Sequence, residues 1–205
     1  GSKVAELMGK GRAKADEFSA AGLTYIRRVA AQRMLSPAVI DDDELLGEYL
    51  DLTSATSKAM RCGTDMEDDA RELYRLVTHD KVLDVEFTSK AGLECFGASP
   101  DGIIIDANTG ELGVLEIKCA LDERFVEYAY ICDADSLKQI EPKYYWQMMA
   151  EMACTGYGYG RFVVYNPWMA KPLHMARIER NDDDVAEMLR KVELADMMVQ
   201  SIIYS

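Results

Sequence analysis

Two short apolar runs, Ile103–Ile105 and Val114–Ile117, flank the stretch Asp106-Ala-Asn108-Thr-Gly110. Apolar runs joined by a turn of that composition predict a β-hairpin. This hairpin constrains the chain more than any other feature because charges are set into it. Asp101 precedes the first run, and Glu116 and Lys118 fall on the second. Charges in a strand interior are costly unless something uses them. The simplest register, centred between Asn108 and Thr109, sets Asp101 opposite Glu116. Lys118, two residues on, points to the same side of its strand as Glu116. Directly opposed residues have Cβ atoms roughly 4.5–5.5 Å apart, so two carboxylates and one ammonium share a patch. A bulge at Gly110 would shift this register.

Two carboxylates that close repel each other unless a proton or a cation lies between them. An oxygen-only site suits magnesium or manganese, which keeps several of its waters. A bound metal lowers the pKa of such a water and stabilises charge on a phosphoryl oxygen. Lys118 is then placed to orient or deprotonate the attacking water, or to neutralise developing charge. The Ile117 carbonyl, between Glu116 and Lys118, is a natural further ligand. Pro100-Asp101 followed by Glu116-Ile117-Lys118 is the PD-(D/E)xK signature. Taken alone, the same pattern also describes an ordinary hairpin with a rim ion pair between Glu116 and Lys118.

Around the hairpin the chain alternates helix and strand signals. Phe18–Leu35 has helical spacing, with Leu23, Ile26, Val29 and Ala30 on one face, and Ser36-Pro37 ends it. Asp41–Met60 reads as a second helix. Thr64 is placed to cap a third, running to about Thr78, with acids in its first turn. Val82–Phe87 alternates as a strand does. Ser136–Thr155 reads as a helix closed by Gly156, Arg161–Tyr165 and Leu173–Ile178 as strands, and Asp182 as the cap of a last helix through Ile203. The order predicts an α/β fold with a mixed central sheet covered by helices. With 205 residues and no evident linker, a single domain over residues 1–205 is expected.

Composition excludes some classes and qualifies others. No apolar run approaches membrane-spanning length, and no signal peptide opens the chain. Five cysteines, none in a CxxC pair, and two histidines argue against a structural zinc site and for a reducing compartment. The formal net charge of −13 argues against a nucleic-acid partner. Its distribution weakens that objection. The acids crowd Asp41–Glu48, Asp65–Asp69, Asp122–Glu141 and Asp182–Asp184, whereas Lys3, Lys10, Arg12, Lys14, Arg27, Arg28 and Arg33 mark the N-terminal third. The same charge runs also suit solvated helix faces.

Blocks in order along the chain resemble the lambda-exonuclease-like, or YqaJ-type, viral recombinase nucleases. Gly63–Tyr74 (GTDMEDDARELY) is similar to the family's G-x-x-x-E-x-x-A-R helix. Ser99–Gly102 (SPDG) with Leu115–Cys119 (LEIKC) matches its active-site hairpin. Tyr144–Gly156 (YYWQMMAEMACTG) resembles its glutamine-bearing helix, and Tyr165–Met169 and Leu173–Asp182 resemble its closing strands. The opening GSKVAELM resembles the segment after the family's T-A-S motif, which implies that an upstream Trp/Arg stretch is absent. Gly1-Ser2 equally suits a vector remnant. Ala120 departs from the family, which usually has proline after the cysteine.

The resemblance implies a restriction-endonuclease-like fold and Mg²⁺-dependent 5′→3′ digestion of linear duplex DNA, with Mn²⁺ as a substitute. It implies a trimeric homo-oligomeric ring around DNA, a single-strand annealing recombinase as partner, and the cytoplasm of a bacterial or phage-infected cell. Asp101, Glu116 and the Ile117 carbonyl become metal ligands, Glu67 reaches the metal directly or through water, and Lys118 is the catalytic lysine. Gln147 positions the water or the lysine, and Tyr144 lies one turn before it on the same face. Ser2 falls near a terminal phosphate, Ser99 and Tyr144 become DNA- or phosphate-binding residues, and Arg12, Arg27 and Arg28 are candidates for the phosphate pocket.

Each residue also has a plainer explanation. Glu67 suits a first-turn helix acid, Gln147 a buried backbone partner in a Met-rich helix, and Cys119 a packed thiol. An endonuclease or junction resolvase of the same superfamily, or a non-catalytic docking module for an annealing protein, are the competing functions.

Overall fold

The computed structural model describes residues 2–13, 15–53 and 58–205, with side chains from Met66 onward in the helix that starts at Lys58. Gly1, Lys14 and residues 54–57 within the expected helix Asp41–Met60 lie outside the described residues. The N-terminal region is helical: α1 (Ala5–Met8), α2 (Ala20–Arg33), α3 (Pro37–Ile40), α4 (Asp43–Thr53) and α5 (Lys58–Thr78). The strand β1 (Lys81–Leu83), the small hairpin β2 (Thr88–Lys90) and β3 (Leu93–Ala98), and the hairpin β4 (Gly102–Ile105) and β5 (Leu112–Cys119) follow. Then come α6 (Asp122–Tyr128), α7 (Ala134–Ile140), α8 (Pro142–Thr155), β6 (Tyr159–Tyr165), β7 (Leu173–Glu179) and α9 (Asp182–Ile203).

The main sheet has the order β1-β4-β5-β6-β7. Only β5 and β6 pair in parallel, joined by the crossover through α6, α7 and α8. This is the expected α/β fold, a restriction-endonuclease-like mixed sheet flanked by helices. Because strand side chains alternate, β5 feeds two cores. Val114 joins Phe162, Val164, Met148 and Met149 beneath α8, with α1, α2 and α9 behind. Leu115 and Ile117 face Ala70 and Tyr74 of α5 on the other side.

Several boundaries differ from those the sequence suggests. α5 is already helical at Lys58, so Thr64 lies inside it rather than at its cap. The alternation over Val82–Phe87 gives only β1, whose partner β4 ends at Gly102; the register runs from Lys81↔Ile105 to Leu83↔Ile103. The expected helix Ser136–Thr155 is two helices. Pro142 lacks an N–H and excludes helical backbone at Glu141, which adopts φ −139° and ψ 78°. An Asp133–Ser136 capping box opens the first of them. Gly156 closes the second in the left-handed region at φ 83°, as its position suggests. The cap of α9 is Asn181, whose side chain accepts from the Asp184 N–H at 3.0 Å.

Candidate active site

The turn between β4 and β5 sets the site's register. Asp106 Oδ1 accepts from the Asn108 and Thr109 N–H groups, each at 2.9 Å, and Gly110 takes φ 72°. Buried Asp80 ties this tip to α5: its Oδ1 accepts from the Ala107 N–H at 2.9 Å, and its Oδ2 from the Tyr74 hydroxyl at 2.5 Å. The strands pair as Ile105↔Leu112 through Gly102↔Leu115, the register centred between Asn108 and Thr109. Its next step sets Asp101 against Glu116.

Asp101 lies one residue before β4 begins and closes the edge. Its N–H donates to the Leu115 carbonyl at 2.9 Å, and its Oδ2 accepts from the Ile117 N–H at 2.6 Å. The N–H and C=O of one strand residue point toward the same edge, so the Ile117 carbonyl faces Asp101's side as well. Glu116 and Lys118 lie on the opposite face of β5 from Ile117, under α8. Glu116 is fully buried. Its Oε1 accepts from Gln147 Nε2 at 2.6 Å and pairs with the Lys118 ammonium, while its Oε2 has no partner. The Lys118 Nζ sits 4.7 Å from the Tyr144 ring centroid, and that ring packs against Tyr128 and Phe162.

Burial first, then the Glu116 charge, pushes the Asp101 carboxyl up to about 7. Burial works against the Lys118 ammonium, but the Glu116 and Asp101 carboxylates outweigh it and raise its pKa. Lys118 is therefore cationic at neutral pH. Glu67 adds to the negative field at Asp101 and accepts from Arg71 Nη2 at 3.2 Å. Since α5 starts at Lys58, Glu67 lies well inside the helix and no first-turn dipole accounts for it.

Among the described residues, no three His, Cys, Asp or Glu side chains converge in metal-binding geometry. The oxygen set is two carboxylates and one carbonyl. Its chemistry nevertheless fits a hard divalent cation. The Glu116 Oε2 is buried and unpartnered, and the Glu116 charge beside Asp101 calls for a positive partner.

The structure thus gathers Asp101, Glu116, Ile117, Lys118, Gln147 and Tyr144, with Glu67 alongside. It does not gather the other candidates there. Ser99 is exposed, two residues before Asp101. Ser2 lines a separate cavity of about 270 Å³ with Tyr25, Arg33, Phe96 and Asp196. Arg12 is exposed ahead of α2. Arg27 and Arg28 are exposed on α2, whose neighbours are α1 and α9. Sequence reasoning missed Glu151, which is 1% exposed and accepts from the same Gln147 Nε2 at 3.0 Å. Its signal was the four-residue spacing from Gln147 in an otherwise apolar helix. Burial, then the Glu116 charge, holds the Glu151 carboxyl well above the usual carboxylate range.

A family model described as the YqaJ-like viral recombinase domain matches residues 1–158. Among solved structures, an alkaline exonuclease from Laribacter hongkongensis is 28% identical with a TM-score of 0.74, the match covering 99% of this chain and 88% of that one. The same exonuclease in complex with dAMP gives 27% identity over the same shares and the same TM-score of 0.74. A phage-related exonuclease from Haemophilus somnus, at 14% identity and a TM-score of 0.67 over 99% of this chain and 93% of that one, is alike in fold. No curated protein sequence matches. The matched span takes in Glu67, the β4–β5 hairpin and Gln147, and the chain belongs to the YqaJ-like viral recombinase domain family.

Proposed function

We propose that residues 1–205 act as one PD-(D/E)xK domain, a metal-dependent deoxyribonuclease that digests one strand of linear duplex DNA from its 5′ end. The observation that carries this reading is the convergence of Asp101, Glu116 and Lys118, with Gln147, at the end of β5. Two 27–28% identical solved structures of an alkaline exonuclease support it. The 3′ single strand left behind suits a single-strand annealing recombinase as partner, in a bacterial or phage-infected cytoplasm. No helix among the described residues is long and apolar enough to cross a membrane. The reading includes a homotrimeric ring that confines the duplex.

Asp101, Glu116 and the Ile117 carbonyl would hold Mg²⁺, or Mn²⁺ in its place, with Glu67 reaching it directly or through water. That ion supplies a water of lowered pKa and charge stabilisation at the phosphoryl oxygen. Lys118, paired with Glu116, orients or deprotonates the attacking water, or neutralises charge building on the phosphate. Tyr144 fixes the ammonium from below, at 4.7 Å. Gln147 positions the water. Ser2, Ser99, Arg12, Arg27 and Arg28 contact backbone phosphates, which carry no sequence information.

The test is digestion of duplex labelled on each strand, in Mg²⁺, in Ca²⁺ and in chelator, beside covalently closed circles. Mg²⁺ should release nucleotides from 5′ ends and leave circles intact. Asp101→Ala should lower the rate by at least about a thousandfold without unfolding the protein. Cutting of closed circles would make the enzyme an endonuclease; digestion by Asp101→Ala would remove the site.

A further inference from the structure

Gln147 has two buried carboxyl neighbours. Its Nε2 donates to Glu116 Oε1 at 2.6 Å and to Glu151 Oε1 at 3.0 Å. Only the nitrogen end of a glutamine amide donates, and the two bonds use both of its hydrogens. Glu116 alone would fix one hydrogen of the amide. Glu151, one helical turn further along α8, supplies the second fixed point. It is 1% exposed, its Oε2 has no partner, and its carboxyl lies against that of Glu116, so it is neither one end of an ion pair nor a surface group. With both hydrogens committed, Gln147 Oε1 is the only end left to meet a water or a substrate group.

We infer that Glu151 is a positioning residue: it fixes the Gln147 amide plane so that Oε1 is presented to the reacting water. This rests on the nuclease reading above. Glu151 acts through its acceptor oxygen, and it neither touches the substrate nor holds the metal. A purely structural role would make it a polar plug in a Met-rich helix, with loss of stability as its only consequence.

Three variants separate these. E151M keeps the length of the side chain and removes the acceptor; E151Q keeps a carbonyl acceptor; Q147A removes the group being oriented. E151M should lower kcat roughly tenfold to a hundredfold with KM for DNA unchanged, the size of effect a misplaced group gives. E151Q should restore kcat to within about threefold of the wild-type value, since the acceptor returns. In a Q147A background E151M should cost nothing further, because the two act as one unit. In ¹⁵N-labelled protein the two Gln147 side-chain amide protons should exchange slowly; E151M should release one, and E151Q should release neither. The Asp101→Ala control keeps the two readings apart: digestion by that variant removes the proposed site itself, rather than the role of Glu151 within it. If Asp101→Ala is inactive, an additive loss in the Q147A background, an unchanged kcat in E151M, or an equal fall in E151Q overturns the positioning role. Should E151M fail to fold, fast exchange of both Gln147 amide protons in the wild-type protein overturns it as well.

Discussion

One oxygen of Asp101 caps the Ile117 N–H while its charge faces Glu116 and Glu67, so the residue holds the strand edge and strains against its neighbours at once. The consequence is a pH dependence with a definite sign. The carboxyl rises from 3.8 to about 7 in the folded chain. Between those values the folded state binds more proton than the unfolded state, so Asp101 makes stability fall as pH rises through the window. In chelator, melting between pH 4 and 8 should show this decline. Asp101→Asn should flatten it by up to one proton, about 1.4 kcal/mol per pH unit at full effect. A variant with the same slope as the wild-type protein would show that Asp101 titrates normally. Glu116, in contrast, was legible from the sequence as a charge in an apolar strand. Its burial depends on α8 crossing above it, and no local pattern encodes that crossing.

At the scale of elements, the hairpin tip governs the site. Asp80 accepts from both Tyr74 and Ala107, and these bonds pin the β4–β5 turn to α5. Asp80→Ala would leave a buried hydroxyl and a backbone N–H without partners. It should cost about 2–4 kcal/mol, read as a lower denaturation midpoint. Addition of Asn at the same position should recover part of it. The hairpin register could be read from Asp106–Gly110 because turn chemistry is local. The α7–α8 break was hidden because apolar spacing continues across Glu141; Pro142 alone marks it. The β2–β3 hairpin lacks alternation, and α6 starts at Asp122 with φ 49°, a left-handed conformation uncommon for residues other than glycine. Gln147 was legible by family resemblance, whereas Glu151 showed only as a spacing, since its meaning lies in the shared amide.

For the whole molecule, the question is how a chain of net charge −13 holds a polyanion. Acids dominate α4, α6 and the start of α9, and Arg27 and Arg28 stand exposed on α2. Binding on the proposed reading is local, electrostatic and confined by the ring. Each phosphate contact removed should reduce the slope of log K against log salt by about one. Arg28→Ala, measured by fluorescence anisotropy on duplex ends in Ca²⁺ from 50 to about 200 mM salt, should weaken binding and flatten that slope. An unchanged slope would place Arg28 away from the DNA.

The parallel pairing of β5 with β6 has a temporal corollary. Glu116 and Lys118 lie on a strand whose parallel partner, Tyr159–Tyr165, comes only after the whole crossover, and Gln147 comes from that crossover. Non-local pairing of this kind forms late. A ribosome-bound fragment ending before Tyr159 carries every charged group of the hairpin, yet it lacks the strand that supports the other edge of β5. On the proposed reading, the site therefore stays incomplete until Tyr159–Tyr165 has been made.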